Sequence, residues 1–528
     1  MKGKEAALSV HLLFQSSLMF PSSHYLFLSH TVAELDAAAF APPNLTIVWA
    51  TVTGLDLEGR RVLLEAVPGW AGRGENEGGE VGDAIAHHTP PPFLAFDRLV
   101  VATGATPRAV ADHRAVMVLR DAASVAHLAA ALQGARTVVV AGNGGIALGL
   151  AHALSAGGGG GGRSASPPSP PPPPLRVVWV AKHGHVGDAF FDVDAAGFLA
   201  RHLGKKRKGA GEAGVTRGGG PAGAPAPLSA SARGPAAAAT PPTAPPSTGF
   251  GAAAGPGWVG ALTAAVPGQG DASGGAHTGG SSRGGRLETH LHVTIASVSD
   301  APPPAPASAC PPFAVRVILS DGTLIDADAV ISAVGVSPAV GWVPACVRRA
   351  GDGGLEVDGE MRSTSHPHLL LAAGDAATLR PADRGPHWFP MRLWSQARLT
   401  GGVAGAAAAG GGSPLDRPGG MGLELFAHAT AFADLPVVLL GAYNGQGLPG
   451  GGEGVVTYAR EDEEGSPGGP SFARVLLHRG RLAGCVLIGD GATALAGVFE
   501  DLILDGVDVG FLGARILDPE LDLEAVFD

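Results

Sequence analysis

Cysteine is scarce: Cys310, Cys346 and Cys485 are the three in 528 residues, and they lie far apart. No C-x-x-C or C-x4-C spacing occurs, so neither a zinc cluster nor a local redox dithiol is encoded. Scattered cysteines fit a reducing compartment. Long apolar runs are missing too: no stretch holds the ~18 uninterrupted apolar residues of a membrane-spanning helix, so no membrane partner is expected. Positive charge is in deficit. A net charge of −11 argues against a general nucleic-acid-binding surface. What the chain has in excess is glycine and proline, 82 and 44 residues, which approaches the range of low-complexity chains. That excess is clustered, so the folded part is much shorter than the chain, whose length suits about two to four domains.

The most informative stretch is Thr137 to Leu150, TVVVAGNGGIALGL. It reads as an apolar strand, a tight turn and the first turns of a helix. Gly142, Asn143, Gly144, Gly145 and Ala147 form G-x-G-x-x-A directly after a β-branched run. Gly142 allows the sharp turn, Gly144 lets a pyrophosphate approach the backbone, and Ala147 lets helix and strand pack closely. The helix N-terminus presents free N–H groups and partial positive charge to phosphates. The second strand of this βαβ unit is Leu175 to Ala181. The ribose-binding acid expected at its end is missing; Lys182 and His183 stand there, so a 2′-phosphate is not excluded.

The rest of the chain arranges itself around that unit. Met1 to His30 reads either as a signal or transit peptide or as a non-homologous start. LTIVWATVTGL and RRVLLEAV read as strands joined at Glu58-Gly59, with Gly69 to Pro92 as their tip. FDRLVVATGATP is a strand ending in Ala102-Thr103-Gly104, small residues that admit something flat against the backbone. Asp121 to Leu132 has helical periodicity, and Phe190 to Leu203 reads as a short helix. Gly157 to Pro174 and Gly204 to Gly285 are Gly/Pro/Ala-rich insertions that cannot build a core. Lys205-Lys206-Arg207-Lys208 reads either as a nuclear-import signal or as a solvated charge run. Leu287 to Ser299 and Ala314 to Leu319 alternate like paired strands, and Asp326 to Val334 is a strand followed by Gly335. Strand then glycine repeats the plan of Leu99 to Gly104, which suggests one copy per dinucleotide. His368 to Ala373 ends in Gly374-Asp375, placing a carboxylate at a sheet's carboxyl edge, where it suits ribose or polyol hydroxyls. Trp388 to Ala409 reads as a helix starting beside it. Glu424 to Asp528 is a separate module: LFAHATAF, VVLLGAYN, FARVLLHRG and RLAGCVLIG read as antiparallel strands, with a helix over Thr493 to Leu504.

Ala102-Thr103-Gly104, the turn at Gly142 and Thr364…Gly374-Asp375, in this order, resemble the two-dinucleotide-binding-domain flavoproteins of the pyridine nucleotide-disulphide oxidoreductase class. GNGGIAL, WVAKHGHVGDAFFDVDAAGFL, AAGDAATL, PMRLWSQAR, LFAHATAFADLPVVLLGAYNGQGL and LDPELDLEAVFD carry the resemblance from about Asn44 to Asp528, the insertions apart. It implies an α/β fold of two Rossmann-like three-layer domains plus a small α+β C-terminal domain. The expected boundaries are 31–120 with 355–412 for the FAD-binding domain, 121–203 with 286–354 for the NAD(P)-binding domain, and 421–528 for the C-terminal one. Residues 1–30 and 204–285 fall outside them. It further implies FAD and NAD(P)H as cofactors, an unidentified electron acceptor, protection against oxidative stress, and residence in cytoplasm and nucleus. A protein partner docked by the C-terminal domain is an open expectation.

By the same resemblance, Gly142, Asn143, Gly144, Gly145 and Ala147 map onto the nicotinamide-dinucleotide turn. Gly374 and Asp375 map onto the second FAD motif, with Asp375 on the ribitol. Thr103 and Gly104 map near the FAD phosphates, Val52 beside the adenine, and Met391, Arg392 and Gln396 onto a helix over the isoalloxazine. There are two departures. The class opens with its own strand–G-x-G-x-x-G–helix, whereas Gly3 is the one glycine in residues 1–30, so the FAD domain is expected to be truncated. Gly149 stands where the related sequences carry a glutamate. No protein acid or nucleophile is needed for hydride transfer, so no catalytic side chain is assigned. Trp388, Trp394 and Cys485 read as packing residues, and His87-His88 and His290/His292 as loop and strand-face residues rather than metal ligands. Beside the enzyme stand two alternatives: a non-catalytic nucleotide-binding protein that docks a partner, and an incomplete, inactive chain.

Overall fold

The computed structural model describes residues 10–14, 24–28, 31–35, 45–66, 91–120, 122–156, 175–203, 286–302, 314–410, 423–448, 453–463, 465–466 and 468–527. The expected tip at 69–90, the two long insertions and the basic run at 205–208 lie outside them. Structural statements below concern the described residues.

The chain opens with β1 (Val10–Phe14), β2 (His24–Leu28), β3 (Thr31–Leu35) and β4 (Leu45–Trp49); β1 pairs parallel with β4. A three-stranded antiparallel meander follows: β5 (Thr51–Asp56), β6 (Arg61–Glu65) and β7 (Phe93–Ala95). Alternation sets its faces. Val62 and Leu64 are buried while Arg61, Leu63 and Glu65 point out, the period-2 pattern of a half-buried strand. β8 (Leu99–Val101) and β9 (Ala105–Pro107) end this part.

Next comes a five-stranded parallel sheet. Its members are β10 (Val116–Val118), β11 (Thr137–Ala141), β12 (Arg176–Val180), β13 (Arg286–His290) and, beyond an excursion, β17 (Ala329–Ser332), in the order β10-β17-β11-β12-β13. Helices α1 (Ala122–Leu132), α2 (Gly145–Ala156) and α3 (Val193–His202) cross between them. β11 is buried at every position, as a central parallel strand covered on both faces must be. The excursion is an antiparallel unit of β14 (Ile295–Asp300), β15 (Val315–Leu319) and β16 (Leu324–Ala327), and β18 (Val336–Pro338) pairs back to β9.

The chain then returns to the first part. β19 (Leu355–Val357) pairs parallel with β21 (Ala377–Leu379), and β20 (Leu370–Ala372) pairs parallel with β8. Helix α4 (Trp394–Ala408) packs Val403, Ala404 and Ala407 inward. The last module is a five-stranded antiparallel sheet of β22 (Ala427–Phe432), β23 (Leu435–Gly441), β24 (Val455–Asp462), β25 (Ser471–His478) and β26 (Arg481–Ile488), ordered β22-β23-β26-β25-β24. Helices α5 (Asp490–Thr493), α6 (Ala496–Asp505) and α7 (Leu523–Phe527) close it.

Several expectations need correction. The run from Leu287 to Ser299 is two strands in different sheets; at the break His292 takes φ +60°, a left-handed value no strand sustains. The run from Asp326 breaks at Asp328, whose carboxylate leaves the ladder to accept the Arg136 and Thr137 amides. Val116–Val118, assigned from sequence to the first domain, pairs with β17 of the parallel sheet. Val340, Val343 and Val347, assigned to the second, pack with Leu355, Val357 and Leu370 in the core of the first. The helix expected from Trp388 begins at Trp394, because Pro390 lacks an amide hydrogen and Arg392 is left-handed at φ +51°. The helix expected over Thr493 to Leu504 is split between α5 and α6. β24 had no counterpart in the sequence reading; its burial is irregular, with five charged or polar residues in eight.

Candidate functional site

Two edges of the molecule collect the residues singled out by sequence. The first is the carboxyl end of the parallel sheet. Gly142 follows β11 at φ +130°, and a Cβ there would lie 2.2 Å from the Ala333 carbonyl oxygen. Backbone, not a movable side chain, fills that space, so only glycine fits. The Gly142 amide donates to the Val180 carbonyl at 3.0 Å, and the Trp179 indole N–H donates to the Gly142 carbonyl at 2.7 Å. Asn143 ties the turn to the loop after β12: its Nδ2 donates to the His185 carbonyl at 2.7 Å and its Oδ1 accepts the Gly187 amide at 2.6 Å. Around Gly144 a Cβ would meet nothing within 4 Å; this is the open side of the turn. Ala147 is wholly buried. α2 opens at Gly145 with no side chain of its first turn charged, leaving its free amides available to an anion. Rigid turn, open Gly144 face and helix N-terminus fit a dinucleotide pyrophosphate.

The second edge lies where β8 and β20 run parallel, Val101 opposite Ala372. Thr103-Gly104 and Gly374-Asp375 therefore leave the sheet side by side. The Thr103 hydroxyl donates to the Ala339 carbonyl at 2.8 Å, and the Ala339 amide donates to Gly104 at 2.9 Å. Gly374 donates its amide to the Thr400 hydroxyl of α4 at 2.9 Å. No hydrogen-bond donor among the described residues reaches the Asp375 carboxylate. Burial pushes that carboxyl above the usual range, with the Arg392 charge opposing the shift. A half-buried carboxylate with unused lone pairs suits the hydroxyls of a ribityl chain, so the residues here fit the ribityl–isoalloxazine end of FAD. A small cleft of about 30 Å³ lies between Asp375, Trp388, Arg392 and Gln396.

Arg392 and Met391 are not on a helix, contrary to the sequence expectation; they form the segment entering α4. Gln396, on α4, holds that segment: its Oε1 accepts the Met391 amide and its Nε2 donates to the Phe389 carbonyl, both at 2.8 Å. Arg392 donates to Asp352 Oδ2 at 2.7 Å, and its Nε approaches the Asp375 carbonyl at 3.4 Å. Burial would raise Asp352, but the Thr378 hydroxyl, the Gly354 amide and Arg392 outweigh it and hold that carboxyl below the usual range. Val52 is buried in the same hydrophobic core that holds Leu371, Ala373 and Ala376 of the Asp375 edge.

Sequence reasoning missed the residues that join the two edges. Tyr443, on the C-terminal module, donates to the Ala189 carbonyl at 3.2 Å, and its hydroxyl lies 3.6 Å from Met391 Sδ. Phe389 stacks on Phe426 at 4.1 Å between centroids. Phe190 and Phe432 each come within 3.4 Å of where a Gly145 Cβ would be. The buried Arg474 pairs with Asp192, the N-cap of α3, and donates to the Tyr443 carbonyl at 2.8 Å. One signal was available: Tyr443 is one of three tyrosines in the chain and lies inside LFAHATAFADLPVVLLGAYNGQGL. No group of three or more His, Cys, Asp or Glu side chains among the described residues could hold a metal, and no described helix is long and apolar enough to cross a membrane.

No protein-family model matches the chain. It is 33% identical over 471 residues to mouse pyridine nucleotide-disulfide oxidoreductase domain-containing protein 1, covering 82% of this chain and 80% of that protein. Among solved structures, a water-forming NADH oxidase from Lactobacillus brevis bound to NADH is similar at a TM-score of 0.53 and 15% identity, covering 89% of this chain and 77% of that one. A NAD-dependent persulfide reductase from A. fulgidus is similar at a TM-score of 0.54 and 15% identity, covering 91% and 66%. At such identities the structures establish the shared fold.

Proposed function

The chain belongs to the family of pyridine nucleotide-disulfide oxidoreductase domain-containing protein 1, and from that premise we propose that it passes hydride from NAD(P)H to FAD and on to an acceptor without a redox-active dithiol. The observation that carries this reading is the pair of nucleotide-type edges, Gly142–Ala147 and Gly374–Asp375, tied together through Tyr443. Bound FAD would supply the hydride-accepting chemistry. The chain's own residues bind and orient. The Gly144 face and the α2 amides hold the NAD(P)H pyrophosphate, and Asp375 accepts hydroxyl hydrogen bonds from the flavin's ribityl chain. Gln396 fixes the Phe389–Met391 segment, and Arg392, steadied by Asp352, places positive charge beside the Asp375 edge, where it would stabilise negative charge building up on a reduced flavin. Cys346 is exposed and Cys485 buried, so these two do not form a dithiol, which disfavours glutathione- or thioredoxin-type reduction. By family analogy the activity serves protection against oxidative stress in cytoplasm and nucleus.

The test is optical. Purified protein is expected to carry flavin absorbance that bleaches when NADH or NADPH is added without oxygen. A colourless protein that binds NAD(P)H but never flavin would sink the flavoenzyme reading and leave the nucleotide-binding alternative.

A further inference from the structure

The far end of the dinucleotide groove, where β12 and β13 finish together, has a composition the proposed function does not use. In this type of fold the second strand ends beside the adenosine ribose. An acid there accepts from the free 2′-hydroxyl of NADH, whereas a nearby base accommodates a 2′-phosphate. Here β12 ends on Ala181, wholly buried and without a polar side chain. The following Lys182 and His183 are exposed. Lys182 makes no ion pair among the described residues.

The tip is held rigid by backbone. Ala181 donates its amide to the His290 carbonyl at 2.9 Å, Val293 donates to Ala181 at 3.2 Å, and His292 donates to His183 at 3.2 Å. His292, left-handed at φ +60°, lays its ring against Gly184, where a Cβ would sit 2.6 Å from the imidazole. Lys182, His183 and His292 thus converge on one tip. The nearby carboxylates are engaged: Asp188 faces His183 at 3.4 Å, and Glu288 is taken by Arg176 and His290, both at 2.8 Å.

We infer that this tip is a 2′-phosphate subsite of Lys182, His183 and His292, and that the chain prefers the phosphorylated nicotinamide dinucleotide, NADPH, over NADH. A phosphate monoester carries about −1.5 to −2 charges near neutral pH. The exposed ammonium of Lys182 complements it, and the two imidazoles offer further N–H donors. NADH, by contrast, finds no carboxylate at Ala181 or Lys182 to accept from its 2′-hydroxyl. The inference rests on the nucleotide role given above to the Gly142 turn.

Direct titration of the purified full chain with NADPH and with NADH, read by the fluorescence of the reduced nicotinamide, tests it. NADPH is expected to bind at least tenfold more tightly, with the difference shrinking as salt is raised. Lys182→Glu should erase or reverse the ratio, weakening NADPH while its new carboxylate holds or tightens NADH; Lys182→Arg should keep the ratio, and a thermal midpoint unchanged in both variants shows the fold intact. Equal affinity of the unmodified chain for both nucleotides, or a preference that survives Lys182→Glu, overturns the inference and leaves the Gly142 site standing. Binding of neither nucleotide overturns both.

Discussion

At the Gly142 edge the site is made of backbone: a turn locked by carbonyls and amides, an open face at Gly144, and helix amides free of side-chain charge. At the Asp375 edge it is made of charges: a desolvated carboxylate, a left-handed arginine, and the aspartate that holds it. The first is specified by the absence of side chains and pays nothing in desolvation. The second buries ionisable groups and depends on their mutual placement, which a shift of one segment would undo. A preformed backbone cradle therefore sits opposite a site that a bound ligand would complete.

Gly142→Ala attacks the stronger side of that contrast. Its Cβ would meet the Ala333 carbonyl, and φ +130° is unavailable to alanine without strain. A loss of about 3–5 kcal/mol is expected, seen as a large drop in denaturant midpoint or as insoluble protein. Gly144→Ala separates fold from function at the same turn. Nothing lies within 4 Å of the new methyl, so stability should stay within about 0.5 kcal/mol, while NAD(P)H affinity falls at least about tenfold, equivalent to about 1.4 kcal/mol. Unchanged affinity would mean that the open face is not where the pyrophosphate approaches.

Tyr443→Phe probes the tie between the edges. Losing the hydrogen bond to Ala189 should cost about 1 kcal/mol in thermal unfolding, and flavin bleaching by NAD(P)H should slow while the affinity for NAD(P)H holds. Asp375→Asn is expected to have the smallest effect on stability, with the opposite sign. The folded carboxyl titrates above its ordinary 3.8, so below that pH both states are neutral and variant and parent unfold alike. As pH rises from 3.8 to the folded value, the unfolded chain ionises while the folded carboxyl stays protonated, so the parent loses stability until the folded value is passed. The variant should then be slightly more stable near neutrality in flavin-free protein, by about 0.5 kcal/mol or less, and weaker in flavin binding.

The Gly142 turn was legible because its information is local: β-branched strand, spaced glycines and helix follow one another within fourteen residues. Gly374-Asp375 was legible as a strand end for the same reason, and so were most strands of the C-terminal sheet. The Arg392–Asp352 pair was not, because forty residues separate partners that meet across β19 and β21. The start of α4 was misread because the helical composition continues upstream through Met391 and Arg392, where Gln396 instead caps an extended segment. The split of Leu287 to Ser299 into two sheets was hidden by an alternation that either pairing would satisfy.

What the sequence determined by itself is the chemistry available at each strand end: a glycine turn after β11, Lys182 and His183 after β12, Gly374-Asp375 after β20. Short-range sterics and strand–turn–helix order suffice for that. The tertiary structure decided which ends face one another. Tyr443 bridges Ala189 and Met391, Arg474 meets Asp192, and Phe432 covers Gly145 only because the C-terminal sheet packs its apolar face on α2 and α3. Those contacts include the Arg474–Asp192 pair, 282 positions apart, and are chosen by burial of whole faces, which no local pattern encodes.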